Sequence, residues 1–301
     1  MASITKLFKP RDEKREKMSL LTVIMCVILA VYCIVLLALI FWGLITVLKH
    51  PEEFLNGHNR AGLPKYVFLD KGGNFVRAMK LWHKTTPEET TFVESLFNSI
   101  LYAAGGAFIN TLVQCLTAYL CARYKYKLSK IVYGAVIVAM ILPIVGSLAS
   151  EIEMAKRFGL YDQIWGTWIM KANFLGLYFL VFHEMFSSMP MAYSEAAKID
   201  GANDWSILWK IAFPLAVNTF MTVLLINFVA LWNDFQMSLV YLPTHHTMAE
   251  CVHRAFETTG DFTAPPLRFA FTFILMTPIL ILFLCFHKRL LGNLTIGGVK
   301  G

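Results

Sequence analysis

The sequence predicts an all-α membrane protein with six transmembrane helices and with both termini in the cytoplasm. Of its 301 residues, 57% are hydrophobic and only 16% are charged, and the mean hydropathy is +0.57. An average soluble domain carries about 25% charged residues. The chain also contains long apolar stretches, and a bilayer core of roughly 30 Å needs about 20 apolar residues per helix. The predicted spans are 20–48, 95–122, 131–150, 164–189, 211–233 and 269–286.

The first span is expected to remain in the protein as transmembrane helix 1. It is much longer than the apolar region of a signal peptide, which has about 7–15 residues, and no small-residue cleavage site follows it. The fourth span is the weakest, because Lys171, His183 and Glu184 interrupt it. In the second span the small residues of AAGGA, at 103–107, predict close packing against neighbouring helices.

The basic residues predict the orientation, because short cytoplasmic connections carry an excess of Lys and Arg. The N-terminal segment 1–19 and the link 123–130 meet this description. In the 49–94 segment basic residues are sparse and nearly balanced by acids, which suits an extracytoplasmic loop. The core, 95–301, is predicted to hold five transmembrane helices and a short cytoplasmic tail. Within it the 190–214 loop, between helices 4 and 5, falls on the cytoplasmic side.

The net charge of +7 is explained by these flanking residues, which would meet anionic lipid headgroups. No soluble basic domain remains to bind nucleic acid, and we expect no such partner. The six cysteines form no CxxC pair, so neither a disulfide framework nor a metal site is predicted. In the outer 243–266 loop, helical structure would place several polar residues on one face, but histidines in outer loops are mostly solvated and we expect no metal. These residues are His246, Glu250 and His253, with His245 beside them.

A half-polar segment, SEAAKIDGANDWSILWKIAFPLA at 194–216, separates the fourth and fifth spans. It predicts a short helix over 191–200 that ends at Gly201, since glycine takes the left-handed conformation without penalty. Asn203 or Asp204 would cap a second helix. Four apolar residues of that helix recur at helical spacing and predict one apolar face. They are Trp205, Leu208, Trp209 and Ala212.

This helix–turn–helix elbow resembles the EAA loop of binding-protein-dependent ABC importer permeases. The resemblance lies in Glu195-Ala196-Ala197, Gly201, Ile211 and Phe213-Pro214, where phenylalanine replaces the usual leucine. The wider EAAKIDGA is similar to the carbohydrate-importer branch and its MalG-like subunit. The resemblance covers roughly residues 95–301, whereas the 49–94 and 243–266 loops match poorly. Further matching stretches are NSILYA at Asn98, AYLCARYKYK at Ala118, FGLYDQIWG at Phe158, LWNDF at Leu231 and the C-terminal LTIGGVKG.

The resemblance implies that the elbow couples the permease to a separate ATPase subunit. Glu195 would make an ionic contact with that subunit, Ala196 and Ala197 would form the close-packed surface, and Gly201 would be the hinge. The same motif adds Asp200, Ile211 and Pro214 to the coupling residues. The implied partners are a second permease subunit, a dimer of ATP-binding subunits and an extracytoplasmic solute-binding protein, all at a bacterial cytoplasmic membrane.

The chain lacks the glycine-rich, lysine-containing loop that cradles phosphates, so we expect no ATPase site and no enzyme activity of its own. Any ATP–Mg would belong to the partner, and no cofactor is expected on this chain. Trp232, Asn233 and Asp234 are candidates for a translocation pathway, because a carboxylate in an apolar span is unusual. Asp234 lies about 30 Å of helix beyond Pro214, however, so a polar helix end at the outer interface is the alternative.

The function that the resemblance implies is import of a carbohydrate, with an oligosaccharide as the expected cargo, by alternating access. An ion-coupled secondary transporter is one alternative, and it would favour midplane ionisable residues and an inverted repeat, neither of which is evident. A membrane-embedded enzyme would need a catalytic pair within the spans. An ABC permease for a non-sugar solute, such as a polyamine or glycerol-phosphate, is the remaining alternative.

Overall fold

A computed structural model of the chain describes residues 20–55, 59–65, 67, 73–124, 126–142 and 146–292, with the side chains of 55, 261 and 287–292 left out of the description. Within these residues the secondary structure is helical and contains no strand, as the predicted all-α class requires. The predicted segment 1–19 and the C-terminal LTIGGVKG lie outside the described residues.

The helices form in the following order along the chain. They are α1 Leu20–Val47, α2 Pro51–Leu55, α3 Gly73–Leu81, α4 Phe92–Arg123, α5 Lys127–Ile141, α6 Leu148–Arg157, α7 Ile164–Lys171, α8 Leu177–Ser188, α9 Ala192–Ile199, α10 Asp204–Ile207, α11 Phe213–Trp232, α12 Phe235–Tyr241, α13 Met248–Glu257 and α14 Pro265–Gly292. Short 3-10 turns cover Trp82–Thr85 and Gly260–Thr263, and a π-helical turn, Leu208–Ala212, joins α10 to α11.

In the described part of the chain, four helices are long and apolar enough to cross a membrane: α1, α4, the continuous run Asp204–Trp232, and α14 over Pro265–Phe286. They cover the first, second, fifth and sixth predicted spans. The third and fourth predicted spans are not single helices. With 15 residues, α5 is shorter than a bilayer core at about 1.5 Å per residue. The fourth span divides into α7 and α8, and the count of six spans stays a prediction.

The break between α7 and α8, at 172–176, is held by two side chains of α4. The Asn110 amide donates to the Lys171 carbonyl at 2.9 Å, and the Gln114 amide donates to the Asn173 carbonyl at 3.3 Å. Backbone that leaves a helix in an apolar layer needs such partners, because no water is there to replace them. The fourth span can therefore be interrupted because α4 supplies the hydrogen bonds that the broken helix loses.

Two apolar clusters hold the bundle together, and α4 and α11 contribute to both. The Trp82 cluster joins the end of α1, α3 and the turn at Trp82–Thr85 to α4, α11, α13 and α14, and the Phe182 cluster joins α4, α5 and α8 to the 208–223 part of the helix that contains α11. Where the clusters would otherwise face water, burial of their apolar side chains is the main favourable contribution to folding. Fully buried rings in the clusters include Trp82, Tyr102, Trp232, Phe271, Phe179, Phe182 and Phe186.

The predicted close packing at AAGGA is confirmed. A Cβ on Gly105 would lie 2.2–2.6 Å from ring atoms of Trp168 in α7, and a Cβ on Gly106 would lie 2.9 Å from Leu231 in α11. The Trp168 ring has little freedom to withdraw, because its indole N–H donates to the Leu101 carbonyl at 3.1 Å. The two glycines thus let α4 touch a helix on each side.

We predict that Gly105→Ala destabilises the purified protein by about 1–3 kcal/mol, because the added methyl group overpacks the contact with Trp168. The measurement is thermal unfolding in detergent, followed by tryptophan fluorescence. Gly134→Ala is the matched control: Gly134 lies in helix α5 with nothing within 4 Å of an added Cβ. The control should unfold at the wild-type temperature or above it, and equal behaviour of the two variants would contradict the packing role.

Candidate functional site

The first arm of the elbow is α9, and its end has the geometry that the sequence predicts. Gly201 has a φ of +80°. The Ala202 N–H donates to the Ala197 carbonyl at 2.9 Å, and the Gly201 N–H donates to the Lys198 carbonyl at 3.1 Å. Glycine is favoured at such a left-handed helix end because a Cβ would be penalised there. Lys198 also forms an ion pair of 3.1 Å with Asp204, which joins the two arms across this turn.

The second arm is continuous with α11. Asn203 caps it, accepting a hydrogen bond from the Ser206 N–H at 2.8 Å, and helix then runs without interruption over Asp204–Trp232. Pro214 has no N–H to donate, and the turn that precedes it is π-helical, with the Phe213 N–H donating to the Leu208 carbonyl. The second arm and the crossing helix therefore form one rod.

The predicted apolar face of the second arm is wrong in part. Leu208 and Ala212 are buried, and Ile207, which the prediction omitted, is buried beside them. Trp205 and Trp209 are 66% and 37% exposed. The aliphatic side chains thus face the bundle, whereas the two indole rings stay on the adjacent open side. There Trp209 packs between Trp205, edge-on, and Phe213, tilted, with ring centroids 5.8 and 5.0 Å apart.

No residue of α9 is buried. Ile199 is 87% exposed and Tyr193 is 53% exposed, and Glu195 and Ala196 are exposed between them, with Ala197 half-buried. Asp200 and Gly201 at the end of the helix are exposed as well, whereas Ile211 in the second arm is half-buried. The elbow thus presents an apolar and acidic surface that this chain does not cover.

The three candidate pathway residues point in different directions. Trp232 is buried and donates from its indole to the Leu275 carbonyl at 3.1 Å, while Asn233 is exposed. Asp234 caps α12, and it accepts from the Tyr102 hydroxyl at 3.1 Å and from Lys171 at 3.2 Å. Lys171 is the basic residue that interrupts the fourth predicted span, so the two charges that looked isolated in the sequence are partners.

Asp234 and Lys171 line a cavity of about 510 Å³ between α6, the end of α7 and α12. Its volume lies in the range of about 300–1,000 Å³ usual for small-molecule sites. The cavity presents carboxylates, an ammonium, an amide and aromatic rings, which suit a ligand with many hydroxyl groups. The other polar and aromatic lining residues are Glu151, Phe235, Gln236 and Tyr241.

The 243–266 loop is tied to the 49–94 loop by charged side chains around the buried His246, the His246 network. His246 Nε2 lies 2.6 Å from a Glu88 oxygen, and its Nδ1 lies 2.9 Å from a Glu250 oxygen. Arg254 pairs with Glu250 at 2.8 Å, and the Ser238 hydroxyl donates to it. The face expected for a helical loop does not form: α13 begins only at Met248, and His253 turns away to stack on Phe235 and to pair with Glu257.

The charges in this network shift one another's pKa. Burial by itself lowers the pKa of His246, but its hydrogen bonds to Glu250 and Glu88 outweigh burial and raise the pKa above the usual 6.5. Burial raises the pKa of Glu250, but its hydrogen bonds with His246 and Ser238 hold the pKa below 4.5. Both imidazole nitrogens can then donate to carboxylates, which requires the protonated ring.

A protein-family model, described as the binding-protein-dependent transport system inner membrane component, matches residues 114–292, more than half of the chain. The chain belongs to this family. Its members are transport subunits, so the protein is a multi-pass membrane permease of an ABC importer, as the elbow indicated. The matched residues include the elbow, both of its arms and the Lys171–Asp234 pair.

Curated relatives and a solved structure extend the similarity beyond this model. The putative ABC transporter permease protein ORF2 of a Caldicellulosiruptor species is 25% identical over 91% of this chain and 96% of its own. The melibiose/raffinose/stachyose import permease protein MelC of Bacillus subtilis is 29% identical over 71% of this chain and 78% of its own. A bacterial ABC transporter involved in the import of the acidic polysaccharide alginate shares the fold, with a TM-score of 0.74, 19% identity, and coverage of 93% of this chain and 99% of that chain.

We predict that the His246 network loosens as the pH rises. A histidine whose pKa is raised in the folded state contributes its full stabilisation of that state below the unfolded pKa of 6.5. This contribution is lost as the pH rises through the folded pKa. The contribution of Glu250 is lost only below 4.5, as the pH falls through its lowered pKa. Amide hydrogen exchange of α13, corrected for its intrinsic pH dependence, should therefore be faster at about pH 9 than at about pH 6. His246→Asn should abolish that difference, and equal protection of the wild-type protein at both values would count against the network.

Proposed function

We propose that this chain is the permease subunit of an ATP-driven importer that moves a carbohydrate across the cytoplasmic membrane by alternating access, with a separate ATPase subunit coupled through the 190–214 elbow. The observation that carries the proposal is that the first arm of the elbow is uncovered whereas the second arm is rigid. Helix α9 buries none of its residues, while the second arm continues without interruption into α11. A partner that grips the first arm would hold a lever on the crossing helix.

The residues of the first arm suit such a grip. Glu195 is exposed and lies in the first turn of α9, free for an ionic contact with a basic residue of the ATPase. Ala196 and Ala197 allow the partner backbone to approach closely, and Ile199 offers apolar area at the far end. Closure of the ATPase dimer would bind one position of the elbow more tightly than another, and that difference in affinity would shift the permease between its two orientations.

A second, related permease chain would complete the pathway, because one bundle of this size encloses little space by itself. An extracytoplasmic solute-binding protein would deliver the solute to the outer loops. The site for ATP–Mg would lie on the ATPase, and this chain would act without a cofactor.

The cargo is proposed to be an oligosaccharide. The name of MelC states that it imports melibiose, raffinose and stachyose, and the cavity beside Asp234 combines the polar groups and rings that recognise sugar hydroxyls. Within the predicted pathway triplet, Asp234 would line the path, while Trp232 packs the helix behind it. The Lys171–Asp234 pair leaves Glu151 as the remaining acidic group of the cavity, which favours an uncharged solute over an anionic one.

We predict that Glu195→Lys uncouples the importer, because a cation at this position would repel the basic residue that the glutamate meets. The strain carrying this variant should lose uptake of the neutral oligosaccharide that the wild-type importer takes up, with labelled raffinose as the first probe. The binding protein should still bind its solute. Glu153→Lys is the control, since Glu153 is exposed in a surface ion pair that is worth about 1 kcal/mol or less. Normal uptake by Glu195→Lys would refute the docking role.

A double substitution tests whether Asp234 does more than pair with Lys171. Asp234→Asn and Lys171→Met each leave one unpaired charge, while the double variant Lys171→Met/Asp234→Asn removes both charges and should recover folding stability. We predict that uptake nevertheless stays low in the double variant, because the carboxylate that faces the cavity is missing. Recovery of uptake together with stability would assign the pair a structural role only.

A further inference from the structure

The last residue of α4, Arg123, spans the junction between α8 and the elbow. Its guanidinium donates to the Met189 carbonyl at 3.0 Å and to the Ser194 hydroxyl at 2.8 Å. It also reaches the Pro190 carbonyl at 3.5 Å and the Met191 sulfur at 3.1 Å. Carbonyls just beyond the C-terminus of a helix lack partners within it, and a cation there is favourable. One side chain of α4 thus joins the end of α8 to the first arm.

The next residue, Tyr124, reaches the second arm. Burial and the neighbouring Asp204 carboxylate both raise the pKa of the Tyr124 hydroxyl, and that carboxylate is the group that pairs with Lys198 across the turn. The Tyr124 ring packs edge-on against Tyr119 with centroids 6.3 Å apart, and Tyr119 packs in the same way against Phe186 of α8 at 5.2 Å. Two consecutive residues, the last of α4 and the one that follows it, therefore contact both arms of the elbow.

We propose that Arg123 and Tyr124 form a strap, through which the elbow moves α4 together with α11. This inference rests on the proposed coupling to an ATPase. A load applied to the elbow would then enter the bundle by two routes: directly along the rod that contains α11, and through the strap into α4. Arg123 and Tyr124 are both positioning residues, since neither would touch the solute.

The route through α4 leads to the groups that surround the pathway. Asn110 and Gln114 of α4 hold the break between α7 and α8, and Tyr102 of α4 hydrogen-bonds to Asp234. From Arg123 to Tyr102 the helix is uninterrupted, a length of about 30 Å at 1.5 Å per residue. An α4 that moves with the elbow would carry its hydrogen-bonding side chains against the break and against the Asp234 cavity at the same time.

The geometry requires arginine at position 123. The guanidinium has several donors in a fixed planar fork, which contact a carbonyl and a hydroxyl on different segments simultaneously. A lysine ammonium is a compact charge that would keep the attraction to the helix end but would lose part of this arrangement. A strap that works by geometry therefore predicts that lysine rescues assembly more fully than it rescues coupling.

The experiment uses the complete importer, with its permease pair, ATPase and binding protein, reconstituted in liposomes. Three quantities are measured: the amount of ATPase that co-purifies, the rate of ATP hydrolysis, and the uptake of the transported sugar per ATP hydrolysed. Arg123→Gln should keep ATPase co-purification and lower uptake per ATP about tenfold, while Tyr124→Phe, which removes the polar group beside Asp204, should lower it about threefold. Arg123→Lys should fall between Arg123→Gln and the wild type. Arg157→Gln is the matched control, because Arg157 is exposed and pairs within its own helix at i,i+4, and it should leave all three quantities unchanged.

Unchanged uptake per ATP in Arg123→Gln would overturn the strap, and so would losses of co-purification and uptake in equal proportion, which would indicate a purely structural anchor. If Arg123→Gln fails to accumulate, the nearly isosteric Tyr124→Phe decides, and a wild-type ratio in that variant would overturn the proposal. Glu195→Lys separates the two levels of inference. If Glu195→Lys uncouples and the strap variants do not, the strap alone is wrong; if Glu195→Lys also stays coupled, the proposed function fails with it.

Discussion

The proposed coupling depends on one mechanical constraint, the continuity of the helix from Asp204 to Trp232. A proline inside a helix removes a hydrogen-bond donor and crowds the preceding turn, and it commonly kinks or ends the helix. Here the π-helical turn Leu208–Ala212 precedes Pro214 and absorbs this disturbance, so that the second arm of the elbow stays in line with the crossing helix. The burial of Leu208, Ala212 and Ala216 fixes the rod to the Phe182 cluster. Without this continuity the elbow would be a flexible attachment and would transmit no motion.

At the other end of the rod, polar contacts take over from apolar packing. Asp234 lies just beyond the end of the rod, caps α12 and receives hydrogen bonds from two other helices. A carboxylate in an apolar setting is costly unless it is paired and hydrogen-bonded, and Lys171 and Tyr102 meet that requirement. The break at 172–176 is stabilised in the same way, because side chains of α4 replace the missing helical hydrogen bonds. The other helices of the bundle are therefore joined to α4 in two ways. Directional hydrogen bonds hold them where a helix is interrupted, and small residues of α4 let them pack closely where they cross it.

Local signals in the sequence were sufficient to predict the elbow. The position of Gly201, a helix cap at Asn203 or Asp204 and the close packing at AAGGA each follow from the conformational preference or the size of the residue itself, and the structure places the cap at Asn203. What the sequence hid depends on distant partners. The fourth span read as one weak helix because its break is stabilised by Asn110 and Gln114, about 60 residues away along the chain. Lys171 interrupts an apolar span in the sequence, and only the structure shows that it pairs with Asp234. No local pattern marks Glu88, because its partner, His246, lies 158 residues later. The tryptophans of the second arm were predicted on the apolar face because of their helical spacing. Helical spacing alone does not say which side of a stripe of aromatic and aliphatic residues the bundle covers.

In the proposed coupling, an ATPase subunit contacts the first arm of the elbow on the cytoplasmic side. A cysteine introduced by Ile199→Cys, in a background without the native cysteines, reports on this contact, because the isoleucine side chain is 87% exposed in the permease alone. In inside-out membrane vesicles a membrane-impermeant maleimide should label this cysteine rapidly when the permease is expressed without the ATPase. Labelling should be strongly slowed when the ATPase is present. Equal labelling in the two preparations, or labelling only from the outer face, would contradict the account.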